Sequence, residues 1–262
     1  MTHFTSFDPG CFAWVDVNST DIDATVAFFA ALFDLEPRQV PVPGGGPPYV
    51  IFERDGMQAW GAYPLSDEMS SAGTPSMFLS YVSVADTAAS LDKAVALGAT
   101  ALMQPMEVGN GSKVAMILDP TGATIGLMSP PTEPQTVVAN EHGTLLWNEL
   151  HTSDLGAAKD FYTELFGWQA KEAEYPGGTY LELKDGDTYR GGGQVGPDDG
   201  TPPNWFVYFQ VDDTEAVAAK VAELGGALTT EPRMVAGVGM MATATDPTGA
   251  PFAIMTAENP GG

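Results

Sequence analysis

The pentapeptide DPTGA occurs twice in this chain, at Asp119 and at Asp246, and each copy runs directly into a short apolar segment, TIGLMSP and PFAIMTA. The match does not stop at the turn. Laying FAWVDVNSTDIDATVAFFAALFDL, from Phe12, on LLWNELHTSDLGAAKDFYTELFGW, from Leu145, puts Trp14 on Trp147, Asp21 on Asp154, Phe28-Phe29 on Phe161-Tyr162 and Leu32-Phe33 on Leu165-Phe166. Further on, Asp55-Gly56 falls on Asp185-Gly186, Leu97-Gly98 on Leu224-Gly225 and Pro105 on Pro232. In-register similarity of that length is the mark of a duplicated module, so the chain must fold as two copies of one architecture. Between the copies, SPPTEPQTVVANEHG (Ser129 to Gly143) is proline-rich, polar and aperiodic, which reads as a linker. The expected division is 1–130, a linker at 131–143, and 144–262.

Each copy carries the same order of elements: strand, helix, strand, strand, a Gly/Pro-rich gap, then the same series again, with room for one further short strand at the gap. After Asp154, residues Leu155, Ala158, Phe161, Tyr162, Leu165 and Phe166 recur at helical spacing, with Ser153 or Asp154 as N-cap and Gly167 past the end. Shorter helices are expected from Thr87 to Gly98 and from Thr214 to Gly225. Strands are expected over Tyr49 to Glu53, Met77 to Val84, Val114 to Leu118, Tyr180 to Leu183 and Trp205 to Val211. The glycine runs GGGPP after Val42 and YRGGG after Thr188 lack the strand-to-helix context of a phosphate cradle, and read as loops and bulges at a rim.

With this pattern in place, W-x-x-L-x-x-x-D-x-x-x-A-x-x-F-Y-x-x-L-F-G followed by a strand ending VDD, then LGG, then DPTG, the chain resembles the vicinal oxygen chelate superfamily of glyoxalases, bleomycin-resistance proteins and extradiol dioxygenases. The resemblance covers nearly everything outside the first ten residues and the linker. It implies an α+β fold: four βαβββ modules forming two tandem glyoxalase-like domains whose curved mixed sheets enclose cup-shaped pockets. Metal-dependent members hold a divalent ion in the cup through donors on the first strand of a unit, at the matching place in the next unit, and just after the DPxG turn. Here those places are Trp14, Leu79 and Gly126 in one copy and Trp147, Phe206 and Ala253 in the other, none of which offers a lone pair to a metal. No metal and no cofactor are therefore expected. Of three histidines, His3 and His142 are expected outside the strands.

Strand alternation then says what faces each cup. Asp16 and Asn18 share a side with Trp14, and Tyr81 accompanies Leu79. In the second copy Glu149 and His151 go with Trp147, while Tyr208 and Gln210 go with Phe206. An aromatic floor with a few polar groups is the usual make-up of a small-molecule pocket. The bland readings stand beside this one: the tryptophans as core filling, His151 as a partner for backbone groups at the helix start, and the two carboxylates as residues of exposed strand edges. An inward carboxylate on a central strand, by contrast, costs desolvation unless it is paired or wet, so a filled cup explains Glu149 and Asp16 best. Glu149-x-His151 can supply an acid and a base near neutral pH, or simply hydrogen-bond a polar ligand.

Charge and composition narrow the partners. Thirty-four acidic against ten basic residues give a formal net charge of -24, which disfavours nucleic acid and suits a cationic ligand. The opening MTHFTSFDPG has no basic n-region followed by an apolar core, so a cytoplasmic, membrane-free protein is expected. The single Cys11 cannot form an internal disulfide and reads as packing. Arg190 reads as a surface residue, with contact to an anionic substrate group as the alternative. Two readings follow. In one, a metal-free enzyme acts on a bulky apolar or aromatic metabolite, with Glu149, His151, Asp16 and Tyr208 moving protons and Trp14, Asn18, Leu79, Tyr81, Trp147, Phe206 and Gln210 lining the pockets. In the other, a binding protein sequesters an aromatic drug without chemistry, as bleomycin-resistance proteins do. Two inward carboxylates and a histidine exceed what sequestration by shape requires. Metal-dependent lyase or dioxygenase chemistry is disfavoured by the missing donors. Either a monomer or a homodimer fits, because the duplication already supplies an internal two-fold partner.

Overall fold

The computed structural model describes residues 2–42, 45–133, 135–175 and 178–259. A short strand β1 (Thr2–Phe4) opens the chain, and four βαβββ units follow. The first is β2 (Phe12–Ser19), α1 (Ile22–Phe33), β3 (Glu36–Val40), β4 (Tyr49–Arg54) and β5 (Met57–Pro64). After a one-turn helix α2 (Asp67–Ser71) comes the second: β6 (Met77–Ser83), α3 (Thr87–Ala96), β7 (Thr100–Glu107), β8 (Lys113–Leu118) and β9 (Thr124–Met128). Strand β10 (Val137–Ala139) precedes the third, β11 (Thr144–Thr152), α4 (Leu155–Phe166), β12 (Gln169–Tyr175), β13 (Gly178–Asp185) and β14 (Thr188–Val195). The fourth is β15 (Asn204–Gln210), α5 (Thr214–Glu223), β16 (Ala227–Val235), β17 (Gly239–Thr245) and β18 (Pro251–Ala257).

Each long helix starts at an aspartate whose carboxylate accepts from the first turn: Asp21 from Ala24 N, Asp86 from Ala88 N and Ala89 N, Asp154 from Ala157 N and Asp213 from Ala216 N. Asp154, not Ser153, is thus the cap of α4. Gly167 ends that helix in the left-handed region, and Asp34 does the same for α1 at φ 54.

The units of each half join in one sheet. In the first, β2 runs antiparallel to β6, with β5 parallel to β2 on one side and β9 parallel to β6 on the other. The second repeats this with β11 and β15 at the centre. Each cup is therefore built from one half alone. Each long helix packs on the sheet of its own half and meets a helix of the other half at the junction, α1 with α5 and α3 with α4. Phe28, Phe29, Leu32 and Phe33 of α1 pack in one core with Val207 and Phe209 of β15, Val217 and Val221 of α5 and Phe252 of β18. Phe161, Tyr162 and Leu165 of α4 share a second core with Leu91 of α3, Ile117 of β8 and Ile125 and Leu127 of β9. The sheets thus stand back to back with their concave faces outward.

The duplicated turn is a clamp across this junction. Asp119 Oδ1 accepts from Thr121 N and Ala123 N, which closes its own turn, and Oδ2 accepts at 2.7 Å from the Tyr162 hydroxyl of the other half. Asp246 Oδ1 accepts from Thr248 N and Ala250 N, and Oδ2 accepts at 2.6 Å from Thr25 Oγ1 of the first half. Both aspartates are buried. Gly122 and Gly249 sit at φ 101 and 91, which the tight turn requires of them.

Two expectations change. The YRGGG stretch is not a rim loop: Gly191, Gly192 and Gly193 lie in strand β14 beside β11, since a strand passing under large rings needs positions without side chains. His3 lies in β1 and pairs with Glu141 at 3.3 Å. The segment read as a linker includes the short strand β10, which bridges β1 and β5. Of GGGPP, residue 44 lies outside the described residues, as does Pro43 beside it. No helix among the described residues is long and apolar enough to cross a membrane.

The Tyr162 hydroxyl also accepts from Trp205 Nε1 at 2.8 Å. Replacing it in Tyr162→Phe leaves two buried polar partners unsatisfied, so unfolding in urea should show a loss of about 1–3 kcal/mol. A double-mutant cycle with Asp119→Asn should show coupling, whereas additive losses would mean that the clamp contributes nothing.

Candidate functional site

Alternation along the central strands decides what reaches the cups. In β2, Val15 and Val17 enter the inter-sheet core, so Trp14, Asp16 and Asn18 face the concave side. In β11, Leu150 goes to the core and Asn148 accepts at 2.6 Å from Ser80 Oγ between the sheets, so Trp147, Glu149 and His151 face the second cup. Neither strand is a sheet edge. Exposure at an edge therefore accounts for neither carboxylate.

In the second cup everything converges on Glu149. Its Oε1 accepts at 2.8 Å from the Tyr208 hydroxyl, at 2.8 Å from Gln194 Nε2, and lies 2.8 Å from His151 Nε2. The residue is only 7% exposed. Burial first, and the neighbouring Glu149 charge second, push the Tyr208 and Tyr180 hydroxyls well above the ordinary tyrosine range, so both remain proton donors toward the carboxylate. His151 lies flat against Phe206, with ring centroids 5.1 Å apart and an interplanar angle of 15°. That stacking and the bond to Glu149 fix the imidazole from two sides, and its side chain keeps 16% exposure. It does not serve the helix start, where Thr152 Oγ1 accepts from Asp154 N instead. Trp147 donates its indole N–H to the Tyr180 hydroxyl at 3.0 Å. Gln210 is the outlier: its amide donates to Val211 O at 3.0 Å, at the far end of β15.

The first cup repeats the frame with different chemistry. Asp16 Oδ1 accepts from Trp14 Nε1 at 2.8 Å and from the Tyr49 hydroxyl, and the Tyr81 hydroxyl reaches the same carboxylate. Trp14 Nε1 also lies 2.6 Å from the Tyr49 oxygen. Leu79, Tyr81 and Val114 form an apolar floor with Met103, Met116 and Met128 around it. Asn18 takes the place that His151 holds in the second cup, and Tyr63 the place of Gln194. The first cup therefore has a buried acid but no imidazole.

The sequence reading missed Tyr49, Tyr180, Gln194 and Glu182, which come from strands flanking the central pair, whose register it did not assign. The signal was present in the glycines. A Cβ on Gly61 would stand 2.4 Å from the Tyr49 ring carbon that bears the hydroxyl, and one on Gly192 would stand 2.1 Å from the Tyr180 oxygen. Cys11 and Arg190 belong elsewhere: Arg190 Nη1 donates to Cys11 Sγ at 2.5 Å and Nη2 to Asp185 at 2.8 Å.

The places at which metal-dependent relatives bind their ion do not fit one here. Tyr81 lies over Gly126, where a Cβ would meet ring atom Cδ1 at 2.1 Å, so a carboxylate there would collide with the ring. Among the described residues no three His, Cys, Asp or Glu side chains gather as a metal-holding group.

The Glyoxalase/Bleomycin resistance protein/Dioxygenase superfamily matches this chain over residues 12–127 and again over 144–254. Among curated sequences, "Putative glyoxylase CFP32" of Mycobacterium tuberculosis is 36% identical over 243 residues, covering 92% of this chain and 93% of the relative. "Anthracycline biosynthesis protein DnrV" of Streptomyces peucetius is 30% identical over 262 residues, covering 96% and 94%. Among solved structures, the Mn(II)-bound glyoxalase from Novosphingobium aromaticivorans superposes with a TM-score of 0.66 at 16% identity, covering 97% of this chain and 84% of the other. The 2,3-dioxygenase LapB from Pseudomonas sp. KL28 gives 0.63 at 14%, covering 95% and 93%. At such identities the structures speak for the fold.

Burial of Asp16 is the largest influence on its carboxyl and raises its pKa, against the lowering effect of the bonds from Tyr49, Trp14 and Tyr81. An acid that holds its proton more tightly when folded contributes stability that is complete below the unfolded pKa, about 3.9, and is lost as pH rises through the folded value. The stability of the wild type relative to Asp16→Asn, measured by urea unfolding, should therefore fall on going from about pH 3.5 to 7. A difference that stays level across this range would contradict the assignment.

Proposed function

Since the chain belongs to the Glyoxalase/Bleomycin resistance protein/Dioxygenase superfamily, we propose that its C-terminal half, 144–262, acts on a bulky apolar or aromatic small molecule by acid/base chemistry that needs no metal. The observation that carries this reading is the buried Glu149 carboxylate. It gathers Tyr208, Gln194 and His151 at 2.8 Å on a concave face floored by Phe206 and Trp147. A carboxylate in hydrogen-bond contact with an imidazole forms a unit in which one group takes a proton while the other holds or returns one. In this reading Glu149 is the base and His151 the proton carrier, stacked on Phe206. Tyr208 and Gln194 orient the carboxylate. Trp147 offers its ring to an aromatic substrate face.

The aromatic class of substrate draws support from the relatives named for anthracycline biosynthesis. Independence from metal draws support from the carbon side chains and the covering Tyr81 ring at the places where an ion would be bound. The N-terminal cup, with Trp14, Asp16, Asn18, Leu79 and Tyr81, lacks an imidazole, and in this reading it binds without turning over.

An anthracycline serves as the probe. Conversion by the wild-type protein, followed by mass spectrometry, should persist after dialysis against a chelator. Glu149→Gln should lose about 10²–10⁴-fold in rate. The same variant should keep ligand affinity, read from saturable tryptophan quenching, within about tenfold, or 1.4 kcal/mol. Saturable quenching with the compound recovered unchanged would replace the enzyme with a sequestering protein. Activity lost on chelation and restored by a transition metal would overturn the metal-free mechanism.

A further inference from the structure

The rim of the second cup holds a second buried carboxylate that the acid/base reading does not use. Glu182 on β13 is 6% exposed. It faces the concave side, because its neighbours Leu181 and Leu183 enter the core between the sheets. Its Oε1 accepts from the Tyr175 hydroxyl at 3.1 Å, whereas Oε2 is buried and receives no hydrogen bond. The charge nearest to Oε2 is the ammonium of Lys184, at 3.5 Å. That ammonium also stands 3.8 Å from the centroid of the Tyr189 ring. Trp147 packs edge-on to Tyr189 with centroids 6.1 Å apart, and Tyr175 packs edge-on to Tyr180 at 5.5 Å. A carboxylate stripped of water and surrounded by aromatic rings is the arrangement that holds an organic cation, the rings contributing through their negative faces.

We propose that this corner is a cation subsite: a protonated or quaternary amine of the ligand displaces the Lys184 ammonium, which occupies its place in the free protein. Lys184 can yield, since its side chain is 28% exposed and is carried on a flexible stem. The register sets the spacing. Glu182 pairs with Gly192, and Gly192 pairs with Glu149, so the two carboxylates rise from strands on either side of a glycine, about 10 Å apart at the backbone. The glycine leaves the space between them to the Tyr180 ring. A ligand whose amine sits at Glu182 presents a group roughly one ring system away to Glu149 and His151.

The other half has no such corner. By the same register Ile51 occupies the place of Glu182, Glu53 that of Lys184 and Gln58 that of Tyr189. Glu53 is already paired with Arg38 at 2.6 Å. The chain's formal charge of -24 draws cations toward the surface from a distance, and the buried carboxylate decides where one stops. The proposal rests on the C-terminal cup being the ligand site, and it narrows the ligand to an amine-bearing compound.

The test uses choline and its uncharged carbon isostere 3,3-dimethylbutan-1-ol, titrated into the full chain while the Trp147 indole N–H signal is followed by NMR. Choline should shift that signal saturably, and the alcohol should bind at least about tenfold more weakly, a difference of 1.4 kcal/mol. Lys184→Met should tighten choline binding severalfold, because the internal competitor is gone. Glu182→Gln should abolish the binding, and Tyr189→Leu, at a position 37% exposed and thus safe for folding, should weaken it. Equal affinity for both probes, or no gain in Lys184→Met, would overturn the proposal. Glu149→Gln should leave choline binding intact. An inert Glu149 with choline still bound therefore defeats the acid/base reading alone, and turnover of an uncharged substrate without choline binding defeats this subsite alone.

Discussion

Two buried aspartates that reach across a two-fold junction hold this molecule together. Asp119 closes a turn in the first half and accepts from Tyr162 in the second; Asp246 closes the matching turn and accepts from Thr25 in the first. Each carboxylate satisfies its own loop and fastens a helix of the other half, α4 through Tyr162 and α1 through Thr25, and both cores draw residues from the two halves. The consequence reaches the cups. Once the convex faces are locked back to back around Phe29, Phe209 and Phe252 on one side and Tyr162, Trp205 and Leu127 on the other, strand alternation sends every second residue of β2 and β11 outward.

The halves then diverge within one frame. Both keep a tryptophan, an acid two residues on, a glycine on the neighbouring strand and a tyrosine hydroxyl over that glycine. Around the acid, the first cup sets tryptophan and tyrosine donors and a methionine-rich floor. The second sets an imidazole, an amide and a tyrosine, and adds Glu182 with its aromatic neighbours. The frame is shared, and the groups that meet each carboxylate differ.

The glycines in these sheets are steric statements. Gly61 and Gly192 make room for Tyr49 and Tyr180 beside the acids, and Gly126 accepts the Tyr81 ring where metal-binding relatives need a carboxylate. In the first half an aromatic ring thus lies where a carboxylate would have to stand.

The sequence by itself determined the duplication, the four units, the helical stripe after Asp154 and the alternation that groups Trp14 with Asp16 and Trp147 with Glu149 and His151, because each is written in local spacing: a repeat, a helical period, a period of two. Which residue caps α4, Ser153 or Asp154, only the structure decided. The sequence did not determine that YRGGG lies in a strand flanking β11, since glycine carries no pattern and its meaning lies in the Tyr180 ring above it. Nor did it show Gln194 or Glu182 beside Glu149, because strand order and register join residues far apart in the chain. The meeting of α1 with α5 and of α3 with α4 across the junction was likewise a tertiary decision. An amphipathic helix specifies only that its apolar face must be covered, and which surface covers it depends on how the two halves meet.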